Sequence, residues 1–143
     1  MSVPAKVSFV TLAVRDLPRM WSFFRQFGWP EAQENDENHV VFLCGGAVLG
    51  LYAAFHYEPQ FGPAPEPGAF KGFTLAINLE SREEVDRVHE ALRSADGVHD
   101  LDDEPQELPY GRGFSFRDPE DNVWDVVFVD GTSFDERGGL IFP

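Results

Sequence analysis

Apolar and polar residues alternate at the beginning of two similar segments of the chain. In the first, residues 6–14 (KVSFVTLAV) have the period of a half-buried strand. The residues after this run carry apolar side chains at the three- and four-residue spacing of one helical face, namely Leu17, Met20, Trp21, Phe24 and Phe27. Asp16 is placed to cap this helix, Pro18 is tolerated in its first turn, and Gly28 is placed to end it.

The second segment repeats this order. Residues 71–79 (KGFTLAINL) again predict a strand, and Ser81 with Glu84 three residues later has the form of a capping box. The apolar stripe of the second helix consists of Val85, Val88 and Leu92.

Each predicted helix is followed by three strand-like runs. They lie at residues 31–36, 39–44 and 47–55 in the first segment, and at 98–107, 113–117 and 123–130 in the second. Gly45-Gly46 and residues 118–122 (DPEDN) are typical of hairpin turns between the last two strands of each segment. The pattern therefore predicts an α+β fold of two βαβββ modules in tandem, a repeat of about 65 residues.

These elements set the expected boundaries. We predict a single domain over residues 1–143, with module one at about 6–55, a linker at 56–70, module two at about 71–130 and a C-terminal tail at 131–143. The core of the linker (EPQFGPAPEPG) is rich in proline and glycine, so it is either a simple connection or a mobile flap. The tail keeps several apolar residues that we expect to pack on the body or on a partner subunit: Phe134, Leu140, Ile141 and Phe142.

Charge and composition narrow the range of functions. The formal net charge of −14 disfavours binding to nucleic acid or to anionic membrane surfaces. No apolar run approaches the roughly 20 residues that span a bilayer, and residues 1–6 carry no signal-peptide pattern, so we expect a cytoplasmic protein. The single cysteine, Cys44, lies in an apolar run and is expected to be a buried, inert thiol.

Three stretches carry a family resemblance: FVTLAVRDLPRMWSFFRQFGW (9–29), GFTLAINLESREEVDRV (72–88) and GRGFSFRDPEDNVWDVVF (111–128). They resemble the vicinal oxygen chelate superfamily, which includes glyoxalases, bleomycin-resistance proteins and extradiol dioxygenases. The resemblance implies that the two modules form a curved, partly open mixed sheet with a concave ligand cavity. It also implies a homodimer.

Metal-dependent members of this superfamily hold a divalent ion with four His, Glu or Gln side chains on the concave face. The resemblance places Phe9, Gly50, Thr74 and Asp125 at those positions. Of these, only Asp125 is a good ligand, and one carboxylate is too weak to hold a catalytic ion. We therefore expect no metal and no other cofactor at this site.

Other residues offer little further chemistry. We expect His39, His56, His89 and His99 to be solvated or structural, with His56 at the rim of a cavity. Asp125 lies in an apolar strand and must be hydrated, hydrogen-bonded, paired or protonated. It is either a cavity-wall residue or a ligand contact and general base.

Three hypotheses of function follow. The first is a metal-independent protein that binds a small organic ligand, with the following ligand-binding residues: Phe9, Thr11, Phe42, Gly50, Tyr52, Thr74, Asn78, Ser115 and Asp125. The second is a lyase, isomerase or dioxygenase-like enzyme, in which Asp125 is the candidate catalytic base. The third is a structural or regulatory dimer without a ligand.

Overall fold

The computed structural model describes all residues, 1–143, and the chain divides into two compact units. The first unit comprises Met1–Ala64 with Arg137–Gly139, and the second comprises Pro65–Glu136 with Leu140–Pro143. The division between residues 64 and 65 lies within the segment predicted to be the linker. None of the helices is long and apolar enough to cross a membrane.

The first unit has a mixed three-stranded sheet in the order β1-β3-β2. Strand β1 pairs parallel to β3, and β2 pairs antiparallel to β3. Its elements are β1 (Phe9–Val14), α1 (Leu17–Arg25), β2 (His39–Phe42), β3 (Val48–Ala53), a 3₁₀ turn (Ala54–His56) and a one-turn helix α2 (Glu58–Phe61).

Helix α1 forms where the sequence predicts it. The Asp16 carboxylate accepts a hydrogen bond from the backbone N–H of Arg19 at 3.1 Å, which satisfies one of the free donors of the first turn. The helix ends at Arg25, three residues before Gly28, whose φ of 71° reverses the chain. Its buried residues are Leu17, Met20, Phe23 and Phe24. Phe23 was not in the predicted stripe, whereas Trp21 and Phe27, which were, are only partly buried, and Phe27 lies beyond the end of the helix. The buried face is therefore shifted relative to the prediction.

The predicted strand at residues 31–36 is wrong. Only a single bridge, between Glu31 and Phe42, remains of it. The side chain of Asn35 takes the place of a backbone ladder, because its amide oxygen accepts from Val41 N at 2.8 Å and its amide nitrogen donates to Val41 O at 3.2 Å. A side chain that satisfies the backbone of β2 in this way leaves the neighbouring segment free to run as a loop.

The second unit has a mixed four-stranded sheet in the order β4-β7-β6-β5, in which β4 is parallel to β7. The predicted strand 98–107 is likewise reduced to the short strand β5 and a bridge between His99 and Arg117. The unit contains β4 (Leu75–Asn78), α3 (Arg82–Arg93), β5 (Gln106–Leu108), β6 (Gly111–Arg117), β7 (Val123–Val129), β8 (Ser133–Phe134) and β9 (Leu140–Ile141).

Helix α3 begins at the predicted capping residues. The backbone N–H of Glu84 donates to Ser81 Oγ at 3.1 Å, and the Glu84 carboxylate accepts from the backbone N–H of Glu80 at 2.9 Å. Val85, His89 and Leu92 are buried against the sheet. His89 is a structural residue, since its Nε2 lies 2.7 Å from the carbonyl oxygen of Asp102 and its ring meets Phe114 edge-on.

The hairpin between β6 and β7 is built around a buried carboxylate. Asp118 is fully buried, and its side chain accepts from the backbone N–H groups of Glu120 and Asn122, from the Asn122 amide and from the Trp124 indole. These hydrogen bonds take the place of those that the carboxylate would make with water, and so they offset the free-energy cost of burying it.

Both sheets mix parallel and antiparallel strands, so the predicted α+β class is confirmed. The joint curved sheet with a concave cavity stays a prediction. The tail forms the β8–β9 hairpin, but Leu140, Ile141 and Phe142 are exposed. Phe134, the fourth apolar residue of the tail, is partly buried, and packing of the tail on a partner subunit stays a prediction.

Candidate functional site

The sheet of the first unit has one face covered by α1, and the side chains that turn away from α1 form a second surface. Alternation turns Leu12, Val40 and Phe42 toward α1, where all three are buried. The strand register brings the opposite set together in two rows across β1, β3 and β2: Thr11, Gly50 and Val41, and next to them Ala13, Tyr52 and His39. We call this second surface the first-unit face.

Phe9 covers Gly50 on the first-unit face. A Cβ atom added to Gly50 would lie only 2.5 Å from Cε1 of the Phe9 ring and 3.3 Å from Oγ1 of Thr11. The absence of a side chain at position 50 therefore lets the Phe9 ring approach β3 closely. Of the predicted site residues, the structure brings Phe9, Thr11, Gly50 and Tyr52 together on this face.

From Phe9 a series of rings continues across the unit, which we call the ring row: Phe9, His39, Tyr52 and His56. The Phe9 and His39 centroids are 6.3 Å apart, and those of His39 and Tyr52 are 5.3 Å apart. Tyr52 stacks on His56 at 4.8 Å with an interplanar angle of 14°. The Nε2 atom of His56 lies 3.4 Å from Oδ1 of Asn38.

His39 was missed as a site residue. We expected it to be solvated or structural, yet its ring lies between those of Phe9 and Tyr52. The signal was present in the sequence: Val40 and Phe42 are apolar and turn toward the core, so His39 and Val41 must turn toward the other face. His56, expected at a cavity rim, lies at the end of the ring row.

A carboxylate lies beside this row. Asp36 Oδ1 accepts hydrogen bonds from the backbone N–H groups of Asn38 at 2.8 Å and His39 at 3.1 Å. These two bonds lower the pKa of Asp36, and the nearby His39 side chain lowers it further. Asp36 is therefore ionised at neutral pH.

Phe42 does not lie on the first-unit face. It is fully buried, with its ring 5.5 Å from that of Phe24 and 6.3 Å from that of Trp29. The period-two alternation of β2 turns it toward α1, so it is a core residue. Nearby Cys44 is half-buried, and burial raises the pKa of its thiol, which favours the unreactive protonated form.

The second unit has its own sheet face opposite α3. The register places Ala76, Asp125 and Ser115 in one row across β4, β7 and β6. The Ser115 hydroxyl donates to Asp125 Oδ1 at 2.7 Å, and the Asp125 carboxylate accepts no other hydrogen bond within the chain. Asp125 is therefore a half-buried, hydrogen-bonded carboxylate.

The remaining two predicted site residues lie at the ends of this face. Thr74 is exposed and comes just before β4, while Asn78 is half-buried at the end of that strand. The register pairs Asn78 with Val127, which in turn pairs with Gly113 on β6. Ala76, Ser115 and Gly113, which lie near Asp125 on this face, are small residues.

The residues at the family's metal positions do not fit a divalent ion. Phe9 has no donor atom, Gly50 has no side chain, and Thr74 offers one weakly coordinating hydroxyl. One oxygen of Asp125 is already bonded to Ser115. Across the chain, no group of three or more His, Cys, Asp or Glu side chains is arranged to hold a metal.

Solved structures with a similar fold come from several bacteria. A glyoxalase-related enzyme from Fulvimarina pelagi is 24% identical with a TM-score of 0.81, covering 97% of this chain and 99% of the other. A glyoxalase/bleomycin resistance protein/dioxygenase family enzyme from Burkholderia phytofirmans PsJN is 26% identical with a TM-score of 0.73, covering 87% and 99%. A lactoylglutathione lyase from Agrobacterium tumefaciens is 22% identical with a TM-score of 0.64, covering 89% and 96%.

A comparison with curated proteins found no significant match. The sequence model of the Glyoxalase/Bleomycin resistance protein/Dioxygenase superfamily matches residues 6–126, which is most of the chain. That match agrees with the structural similarities and with the three stretches that carry the resemblance. The chain belongs to the glyoxalase/bleomycin resistance protein/dioxygenase superfamily.

Proposed function

We propose that this protein binds a small organic molecule without a metal ion. The observation that carries the proposal is the position of Phe9 above Gly50, where a Cβ atom would lie 2.5 Å from the ring. At these two family positions, an aromatic surface takes the place of two ligand side chains. Such a surface suits an apolar or aromatic ligand, because ring–ring contacts add to the free energy of burying apolar area.

A polar side chain on the first-unit face would orient the ligand, and the second unit has a polar surface of its own. Thr11 lies next to Gly50 on the first-unit face, and Thr74, Asn78, Ser115 and Asp125 belong to the opposite face of the α3 sheet in the second unit. We include a homodimer and a cytoplasmic location in the proposal, as expected from the family resemblance and the sequence.

A thermal-shift screen tests this proposal. The purified protein is heated with a broad panel of small organic compounds, with and without EDTA. We expect at least one compound to raise the melting temperature equally under both conditions, because binding to the folded state alone stabilises it. The Phe9→Leu variant should lose much of this shift, whereas Tyr110→Leu, which removes an exposed ring at the β5–β6 turn, should keep it.

Two results would contradict the proposal. If the shift disappears with EDTA and returns with added metal, the binding depends on a metal. If no compound in a broad panel changes the melting temperature, a structural or regulatory dimer without a ligand is the better account.

A metal-free enzyme is the second candidate, and the geometry of Asp125 favours it. One carboxylate oxygen is fixed by the Ser115 hydroxyl at 2.7 Å, while the other accepts no bond within the chain and is able to take a proton from a substrate. Under this alternative, Asp125→Asn abolishes turnover of a bound compound but leaves its binding and the melting temperature nearly unchanged. Ser115→Ala, which frees the carboxylate without removing it, weakens turnover less.

A further inference from the structure

We infer that the C-terminal hairpin of β8 and β9 is a docking site for an extended, basic segment of a partner protein. This segment adds to the hairpin as a further strand beside β9. The inference goes beyond the proposed function, because it concerns a surface that small-molecule binding does not use.

The hairpin exposes an uninterrupted apolar stretch. Leu140 and Ile141 form β9 and are 42% and 50% exposed, and Phe142, which follows them, is 68% exposed. Successive side chains of a strand turn to opposite faces, so both faces of β9 present apolar surface to solvent. A contiguous exposed apolar surface is typical of a site that a partner covers.

The hairpin is also incomplete as a sheet. It has two residue pairs, Ser133 with Ile141 and Phe134 with Leu140, and a two-stranded hairpin by itself is marginally stable in water. Beyond the ladder with β8, the backbone of Leu140, Ile141 and Phe142 makes no hydrogen bond within the chain. The outer edge of β9 is therefore able to pair with another strand.

Other strand edges of this chain are protected. The side chain of Asn35 bonds to both the N–H and the carbonyl group of Val41 in β2. In the same way, the carboxylate of Asp102 accepts from the backbone N–H of Ser115 in β6. Charged side chains and proline also protect strand edges, but β9 contains neither. Its edge is thus left open to a partner.

The charge of the second unit favours a basic partner. This unit has 19 acidic and six basic side chains, a net charge of −13, whereas the first unit has six acidic and five basic side chains, a net charge of −1. Asp135 and Glu136 follow β8 directly and are exposed. A basic segment is attracted to such a surface, and an acidic segment is repelled by it.

A second copy of the chain fits this edge less well. Two copies that paired their β9 strands would form an isologous contact, in which the same surface of each chain meets. Two units of net charge −13 would then face each other, and their repulsion opposes the contact. The proposed homodimer therefore uses another surface.

The probe is a rhodamine-labelled heptapeptide in which lysine alternates with valine, and its binding to the full chain is followed by fluorescence anisotropy at low salt. We expect saturable binding that Leu140→Ser and Phe142→Ser each weaken by about three- to tenfold, because each removes apolar area that the peptide covers. Phe70→Ser is the matched control, since Phe70 is 63% exposed in the same unit but lies outside the hairpin. This variant should bind the peptide as the wild type does.

Two further peptides separate charge from strand pairing. Replacing every lysine of the peptide by glutamate should abolish binding, because the second unit repels an acidic segment. A peptide with the same side chains in which every backbone nitrogen is methylated keeps the positive charge but has no N–H donors for β9. We expect it to bind at least about tenfold more weakly than the unmethylated lysine peptide.

Four results would overturn the inference. No saturable binding of the lysine peptide excludes the site, and equal affinity of the wild type and both hairpin variants shows that the peptide binds elsewhere. Undiminished affinity of the methylated peptide shows that no strand is added. A wild-type dimer that sedimentation velocity shows to dissociate in either hairpin variant means that a second copy covers β9. A melting curve checks the folding of each variant, and the comparison of peptides on the wild type stays decisive if a hairpin variant unfolds.

Discussion

Replacing Asp118 by alanine should lower the free energy of unfolding more than replacing any other single carboxylate of the β6–β7 hairpin. The Asp118 side chain is fully buried. It accepts from Glu120 N at 2.9 Å, from Asn122 N at 3.1 Å and from Trp124 Nε1 at 2.9 Å. The Asn122 amide nitrogen lies 3.1 and 2.9 Å from its two oxygens.

The size of the effect follows from these donors. Each buried donor that loses its acceptor costs about 1–3 kcal/mol, and water can replace the acceptor only at the partly buried Glu120 N–H. Three neutral donors remain buried, namely the backbone N–H and side-chain amide of Asn122 and the Trp124 indole, so their summed cost is about 3–9 kcal/mol, and relaxation of the turn favours the lower part of this range. We therefore expect Asp118→Ala to lower the free energy of unfolding by about 4 kcal/mol, and the melting temperature by about 8 to 16 °C at 2–4 °C for each kcal/mol.

Urea denaturation followed by tryptophan fluorescence measures this free energy, because Trp124 reports directly on the turn. Asp118→Asn keeps the shape and one acceptor oxygen, so it should lose less than the alanine variant. Asp103→Ala removes an exposed carboxylate in a loop and should change the stability by less than about 0.5 kcal/mol. A loss of less than about 1 kcal/mol for Asp118→Ala, the value of one ordinary hydrogen bond, would refute the reasoning.

Three further substitutions test other parts of the structure. Glu31→Gln should destabilise the protein at neutral pH, because hydrogen bonds from the Arg25 guanidinium and the Trp21 indole lower the pKa of Glu31. This stabilisation is present above the unfolded-state pKa of Glu31 and is lost as the pH falls through its folded-state pKa, so the melting temperatures of the two proteins should converge in acid. Gly50→Ala should displace the Phe9 ring and lower stability by about 1 kcal/mol, and a double-mutant cycle should show a smaller cost in a Phe9→Leu background; equal costs in both backgrounds would contradict the contact. Gly45→Ala should destabilise the protein by about 1–3 kcal/mol, because the new Cβ would lie 2.6 Å from the backbone oxygen of Arg137. A Cβ at Gly46 would meet nothing within 4 Å, so Gly46→Ala should cost only about 1 kcal/mol for its φ of 84°, and chemical denaturation should show Gly45→Ala to be the less stable variant.

Much of the fold could be predicted because it depends on local chemistry. The caps at Asp16 and Ser81 and the hairpin turn at Gly45-Gly46 act through neighbouring backbone groups, and the structure confirms all three. The same locality explains the two strands that were wrong. The side chains of Asn35 and Asp102 each form hydrogen bonds with the backbone of an adjacent strand, where a paired strand would otherwise do so. The spacing of apolar residues does not reveal such side-chain bonds.

The candidate site was predicted less completely. Alternation along β1 placed Phe9 and Thr11 on the same face, and the strand register agrees. Gly50 was indicated by the family resemblance and Tyr52 by its aromatic side chain, and the register places both beside Phe9 and Thr11. Phe42 was placed with them by residue type rather than by its position in β2, and His39 was overlooked for the same reason. The close approach of the Phe9 ring to Gly50 depends on the rotamer of Phe9, so only the three-dimensional structure reveals it.

Metal titration is the most direct test of the central claim, that these residues bind a ligand without a metal. Purified protein is stripped with chelator, dialysed against Ni²⁺, Zn²⁺, Fe²⁺ or Mn²⁺ in separate samples, and analysed for metal content per chain. We predict far less than one ion per chain for every metal, and an unchanged melting temperature, because Asp125 is the single carboxylate at the four family positions. Stoichiometric binding of any of these ions that Asp125→Asn abolishes would contradict the account.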